Sequence, residues 1–202
     1  MSTTPTEPNA RDGVRVDRRA FVARLLGACP DALVVTGLGS PSYDAFAGGD
    51  RDRTFYLWGA MGGAVPMALG IALAQPGRPV LAITGDGEAL MGMGALSTVA
   101  ARAPGNLSVV VMDNGQFGET GHQASHTALG TDLAAVAAAC GWRTTLTCTT
   151  MEQVAALRMR LRREVLFAVV RISTADVPRF LPPRDAAALS VRFRQALGIA
   201  PD

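Results

Sequence analysis

A carboxylate between two glycines stands where an apolar run ends. In AITGDGEALMG, Asp86 lies between Gly85 and Gly87, and a helical pattern follows. Glycine accepts backbone angles that other residues avoid and lets a ligand come close, so Gly85 and Gly87 suit a tight strand-to-helix turn. The N–H groups that open the following helix are a natural seat for a phosphate. Asp86 sets a negative charge beside that seat, which repels a phosphate unless a cation lies between them. Mg2+ is the usual answer, and it wants further oxygen ligands in an octahedron. The run MDNGQ offers them, with the Asn114 amide oxygen 28 residues after Asp86 and a main-chain carbonyl near Gln116. Taken singly, Gly-Asp-Gly and Asn-Gly are also ordinary turn sequences. On successive strand ends with one helix between them, they are far more specific.

The elements that must position these loops alternate along the chain. Helices are expected over 18–29, 62–77, 88–103, 131–141, 150–164 and 184–198, and strands over 31–37, 78–84, 107–113, 142–147 and 165–172. The first helix shows Phe21, Val22, Leu25, Leu26 and Cys29 at helical spacing. Pro66 fits only inside a first turn that begins just before it. Thr131 or Asp132 is the cap of the fourth helix, and Gly141 its stop. Near-continuous apolar strands separated by helices predict a three-layer α/β/α fold with a mostly parallel, doubly wound sheet. Ligands in such sheets sit beyond the carboxyl ends of the strands. That places GLGSPS (37–42), GDGEA (85–89) and DNGQFGETGHQ (113–123) on one rim.

The 202 residues are 49% hydrophobic but only 5% aromatic, so the core is built from Ala, Val and Leu. One domain over 15–181 is expected, with a polar, disordered lead over 1–14 and a helical extension over 182–202. The 19 basic residues are all Arg, and the net charge of +2 asks for neither nucleic acid nor an acidic membrane. The densest Arg group, RMRLRRE (158–164), reads as a solvated helix face. Cys29, Cys140 and Cys148 lack metal-type spacing, which points to reduced thiols in a cytoplasm. The lead has no apolar signal core, and no apolar run reaches the length of a membrane span.

Gly85-Asp86-Gly87 followed by Asp113-Asn114 resembles the diphosphate-binding domain of thiamine diphosphate-dependent enzymes. The resemblance implies the thiamine diphosphate-binding fold, with Mg2+ held by Asp86, the Asn114 side chain and the Gln116 main-chain oxygen. The metal would grip the cofactor's diphosphate together with backbone N–H groups near Glu88 and Ala89, beside Phe117 and Gly118. Asp113 replaces the first Asn of the family's usual pair. The stretch FYLWGAMGGAVPMALGIALA resembles the family's Gly-Ser-Met-Gly segment. By that likeness Gly59, Ala60 and Met61 meet the aminopyrimidine, with Met61 wedged under the cofactor. Plain core packing is the alternative for Met61. From about 32 to 170 the chain resembles sulfopyruvate decarboxylase β subunits and the matching half of phosphonopyruvate decarboxylases. One departure is Gly121-His122-Gln123 where those enzymes tend to read Gly-Gly-Gln. His122 could meet substrate or move a proton.

The family also needs a glutamate at the pyrimidine, on a domain for which these residues leave no room. The resemblance therefore implies a separate α subunit, as α2β2 or a larger assembly, acting on a small 2-oxo acid. The products are an aldehyde by decarboxylation or an acyloin by carboligation. A sulfonate or phosphonate on the substrate would call for His122, His126 or partner residues. Three rival readings exist. A dinucleotide site at VVTGLGSPS has Ser42 at its third position and Pro41 in its turn. A zinc site from Glu119, His122 and His126 has a glycine inside it. A scaffold without chemistry would leave Asp86 a cost without a function.

Overall fold

The computed structural model describes residues 15–160, 164–175 and 177–199. The expected disordered lead over 1–14 lies outside the described residues, as do 161–163 of the Arg-rich group. Within that group Arg160 is exposed and pairs with Glu164 at 3.4 Å.

Six strands form one sheet in the order β2-β1-β3-β4-β8-β7, every neighbouring pair parallel. They are β1 (Leu33–Thr36), β2 (Thr54–Tyr56), β3 (Val80–Gly85), β4 (Leu107–Asp113), β7 (Thr144–Cys148) and β8 (Leu166–Arg171). The four central strands are apolar without alternation because both faces are covered. Along β3, Val80 and Ala82 enter one core while Leu81 and Ile83 enter the other. In β4, Val109 and Val111 face the first core, Val110 and Met112 the second.

The first core is closed by α3 (Ala64–Ala74), α4 (Asp86–Met91), α5 (Gly94–Arg102) and α6 (Leu133–Ala139). The second is closed by α1 (Arg18–Ala28), α2 (Ser40–Ala47) and α7 (Gln153–Arg160). The last helix, α8 (Ala186–Ala196), sends Phe193 into the first core and Leu189 into the second. Phe193 meets Phe55 of the edge strand edge-on at 5.9 Å. This is the three-layer, doubly wound arrangement expected from the sequence.

Several elements differ from the sequence expectation. The 37–42 segment is not all loop: Gly39 caps α2, which begins at Ser40 with Pro41 in its first turn. The single helix expected over 88–103 is two, α4 and α5, broken at Gly92-Met93. Gly62 and Gly92 explain the break, because their backbones cross: a Cβ on Gly92 would lie 2.5 Å from the Gly62 carbonyl oxygen. Trp142 belongs to no strand. It is buried in the first core and donates its indole N–H to the Leu96 carbonyl at 2.9 Å. A short antiparallel ribbon, β5 (Gln116–Phe117) with β6 (Gln123–Ala124), stands off the main sheet. Asp132, not Thr131, caps α6, accepting from the Ala134 and Ala135 N–H groups. None of the three cysteines forms a disulfide. Among the described residues no helix is long and apolar enough to cross a membrane.

The strand order reverses direction at β1, from which the chain goes first to β2 and then to β3 on the other side. In open α/β sheets the crevice beyond the strand ends at such a reversal is where ligands bind.

Candidate functional site

The three expected rim segments follow β1, β3 and β4 and enclose one cleft of about 310 Å3. Its walls include Leu38, Ser40 and Pro41 after β1, residues 85–88 after β3, and Asn114 with residues 116–120 after β4. Met61, Met91, Met112 and Ile172 complete it. Of the residues singled out in the sequence, Met61, Gly85, Asp86, Gly87, Glu88, Asn114, Gln116, Phe117 and Gly118 are brought together here. Gly59, Ala60, Ala89 and His122 are not among its walls. Ala89 is buried in the first core.

Asp86 is 2% exposed, the first residue of α4. One of its oxygens, Oδ2, accepts from the Ser125 hydroxyl and, at 3.2 Å, from the Thr127 hydroxyl. Ser125 and Thr127 are themselves 2.9 Å apart. No Arg or His among the described residues pairs with Asp86. Burial, with the negative charge of Asp113 added, pushes its carboxyl up to about 6 against the pull of the two hydroxyls. Glu88 also lies in the first turn of α4, is 3% exposed, and is raised by burial as well. Two carboxylates at a helix start turn away an anion unless a cation intervenes.

Asn114 Oδ1 accepts from the Gln116 N–H at 2.9 Å, which fixes the turn and leaves the oxygen a second lone pair. Asp113 is buried and in register with Arg171 across the β4–β8 pair, and the two form a salt bridge. Thr127 reaches Asp113 Oδ1 at 2.8 Å. A chain of polar contacts thus runs from Asp86 through Thr127 and Asp113 to Arg171.

Of the two reasons for glycine beside Asp86, torsional freedom is not the one used. Neither Gly85 nor Gly87 has a positive φ; their role is space. A Cβ on Gly87 would come within 2.8 Å of the Phe117 ring, so the ring lies against bare backbone. A Cβ on Gly85 would meet nothing within 4 Å, so the wall stays open beside Asp86. Asp86, Asn114 and Gln116 line one cleft, and a carboxylate, an amide and a main-chain carbonyl are hard-cation donors; the open wall at Gly85 leaves room for a diphosphate. The residues present fit Mg2+ and the diphosphate of the expected cofactor.

His122 lies outside this cleft, with a φ of 61°, and lines a neighbouring groove of about 720 Å3 with Arg15, Asp113 and Arg171. Its Nδ1 is 3.3 Å from Gln116 Oε1. His126 packs edge-on against Phe117 at 6.3 Å, and Glu119 meets Arg179 at 3.5 Å. Among the described residues, no three His, Cys, Asp or Glu side chains gather as a metal site. Sequence reasoning missed Ser125 and Thr127. They lie 39 and 41 residues from Asp86 in a segment with no spacing signal, and only the fold brings them together.

Residues 43–172 match the model of the thiamine pyrophosphate enzyme C-terminal TPP binding domain. The chain is 46% identical over 143 residues to phosphonopyruvate decarboxylase of Streptomyces viridochromogenes, covering 70% of this chain and 36% of that protein. It is 40% identical over 127 residues to sulfopyruvate decarboxylase subunit beta of Methanothermobacter thermautotrophicus, covering 63% of this chain and 68% of that one. The crystal structure of benzoylformate decarboxylase from Polynucleobacter necessarius superposes with a TM-score of 0.67 at 20% identity, over 87% of this chain and 36% of that one. That likeness concerns the fold.

Proposed function

The chain belongs to the thiamine pyrophosphate enzymes, whose C-terminal TPP-binding domain it carries, and from that premise we propose that it is the diphosphate-binding subunit of a split 2-oxo acid decarboxylase. The observation that carries the proposal is Asp86. It is a buried carboxylate without a cationic partner among the described residues, facing the same cleft as Asn114 and Gln116. Burial without a cation raises its affinity for a proton, as suits a carboxylate that a bound cation would neutralise.

When bound, thiamine diphosphate supplies an electron sink for the pair left behind as a 2-oxo acid loses CO2. The work of this chain is to hold and orient. Asp86, the Asn114 side chain and the Gln116 main-chain oxygen are the proposed Mg2+ ligands. Ser125 and Thr127 keep the Asp86 carboxylate from turning, as outer-shell partners do for metal ligands. The N–H groups near Glu88 and Ala89 are the proposed seats of the diphosphate, and Phe117 and Gly118 close the wall beside it. Gly59, Ala60 and Met61 are proposed to meet the aminopyrimidine. His122, on the far side of the Asn114–Gln116 turn, is proposed to reach a substrate sulfonate or phosphonate or to move a proton.

The glutamate that activates the pyrimidine is proposed to come from a separate α subunit, in an α2β2 or larger assembly. The name of the methanogen relative as a β subunit supports this. So do three exposed methionines, Met61, Met91 and Met93, the first two in the cleft walls.

The test is to purify the chain with whatever subunit accompanies it and add thiamine diphosphate with Mg2+. A raised melting temperature, absent with NAD, is the expected result. A screen of 2-oxo acids for CO2 release then separates decarboxylation from acyloin formation. Full-rate decarboxylation by the chain alone would overturn the split-site reading.

A further inference from the structure

Glu88 is a buried carboxylate for which metal binding has no use. Three groups from two segments, β3 and the turn into α3, converge on it. Thr84 of β3 donates its hydroxyl to Oε2 at 2.7 Å. The N–H of Ala64, first residue of α3, reaches Oε1 at 3.3 Å, and the Gly62 N–H points to the same carboxylate. Gly37, just past β1, makes the room: a Cβ there would lie 1.5 Å from Glu88 Oε2. No Arg or His among the described residues pairs with it, so its charge rests on a hydroxyl and on the N–H groups at the start of α3.

The two donated N–H groups flank Gly63 in the turn that presents Met61. That turn is closed by the Gly63 N–H on the Ala60 carbonyl at 2.8 Å, with Gly62 at φ 87°. Two contacts fasten it to the rest of the rim: the Gly62–Gly92 backbone crossing and Glu88. We infer that Glu88 is a positioning residue that ties the turn carrying Met61 to the strand end carrying Asp86, and so sets the separation of the two cleft walls. The inference rests on the proposed function, in which Met61 and Asp86 contact different parts of one cofactor.

A glutamine cannot replace it. The carboxylate is an acceptor at both oxygens, whereas a glutamine would turn an NH2 toward one of the donors. Loss of one hydrogen bond to a charged group corresponds to a fall of between ~10- and ~100-fold in affinity. For Glu88→Gln in the full chain, with any accompanying subunit, thiamine diphosphate affinity measured by calorimetry should fall by that factor. In Thr84→Val, which loosens Glu88 without changing its charge, inorganic pyrophosphate with Mn2+, which needs only the Asp86 wall, should bind within ~2-fold of the unaltered protein. In a Met61→Ala background the Glu88→Gln effect should shrink to within ~2-fold, because neighbours that act through one another are not additive.

Unchanged cofactor affinity in Glu88→Gln overturns the inference, as does a loss of pyrophosphate binding in Thr84→Val equal to its loss of cofactor affinity, or a full-sized effect of Glu88→Gln without Met61. If Glu88→Gln does not fold, Thr84→Val removes one of the same contacts with little change of shape, and unchanged cofactor affinity there overturns it equally. Absence of thiamine diphosphate binding by the unaltered protein would instead overturn the proposed function, and this inference with it.

Discussion

The two walls of the cleft are built in opposite ways. Around Asp86 the side chains answer one another: Ser125 and Thr127 on its carboxylate, Thr127 on Asp113, Asp113 on Arg171. Around Met61 the surface is uncharged and open. Met61, Met91 and Met93 are exposed, Met91 by 67%, and the stretch from Leu57 to Gly77 contains no charged residue. The first wall spends four polar side chains on holding one carboxylate in place. The second presents soft, adaptable side chains of the kind that pack against another surface. One half of the cleft is prepared in detail and the other left bare, in keeping with the proposed completion by a second polypeptide.

The sharpest way to break this contrast is Asp86→Ala. Thiamine diphosphate and Mg2+ binding by calorimetry should fall more than ~100-fold, as for loss of a metal ligand with its shell; retained affinity would remove the metal from the site. Next in size is Asp86→Asn in the cofactor-free chain. The carboxyl is raised from 3.8 to about 6 in the folded protein, so the fold prefers the protonated form. Stability is therefore lost as pH rises from about 4 through 6, and above that window the ionised group costs the fold on the order of 2–3 kcal/mol. Asp86→Asn should raise the apo melting temperature at pH 8 and leave it unchanged at pH 3.5. An equal shift at both pH values would mean that the carboxylate is not under strain.

Smaller again is Thr127→Val, which removes a hydroxyl but keeps its volume. Mg2+ affinity should weaken by ~10-fold, because Ser125 still holds the same oxygen. The smallest effect on the chain itself concerns the other wall. Met91→Asp should change the melting temperature of the isolated chain by no more than ~0.5 kcal/mol equivalent, as exposed positions do. Recovery of an accompanying subunit in pull-down should nevertheless fall. Undiminished recovery would show that the bare wall is not where the second polypeptide sits.

The same contrast separates what was legible in the sequence from what was not. The central strands could be read because burial on both faces leaves unbroken apolar runs ending at glycine, as in RPVLAITG. The Asp86 and Asn114 loops followed from those strand ends. Strand β2 could not be read, since three residues at a sheet edge carry no period. Helix α2 was hidden because Gly-Ser-Pro-Ser at its start is also turn chemistry. The break between α4 and α5 depends on a backbone crossing with Gly62, a contact between segments 30 residues apart. Ser125 and Thr127 are common hydroxyls in an irregular segment, and nothing local marks them as partners of a distant carboxylate. Gly85 and Gly87 were read both for unusual torsion and for close approach, and only the second applies.

The Asp113–Arg171 pair carries a consequence for how this protein can change over generations. Loss of Arg171 would strand the buried Asp113 at a penalty of ~3–5 kcal/mol, whereas asparagine at 113 would leave the Arg171 guanidinium, a quarter exposed at the groove, at a smaller one. Either single step is a valley, the loss of Arg171 the deeper one, so the two sites are coupled in inheritance. Descendants of this lineage should keep both residues or exchange Asp113 first, and a homologue carrying Asp113 without Arg171 would need a third substitution nearby to absorb the leftover charge.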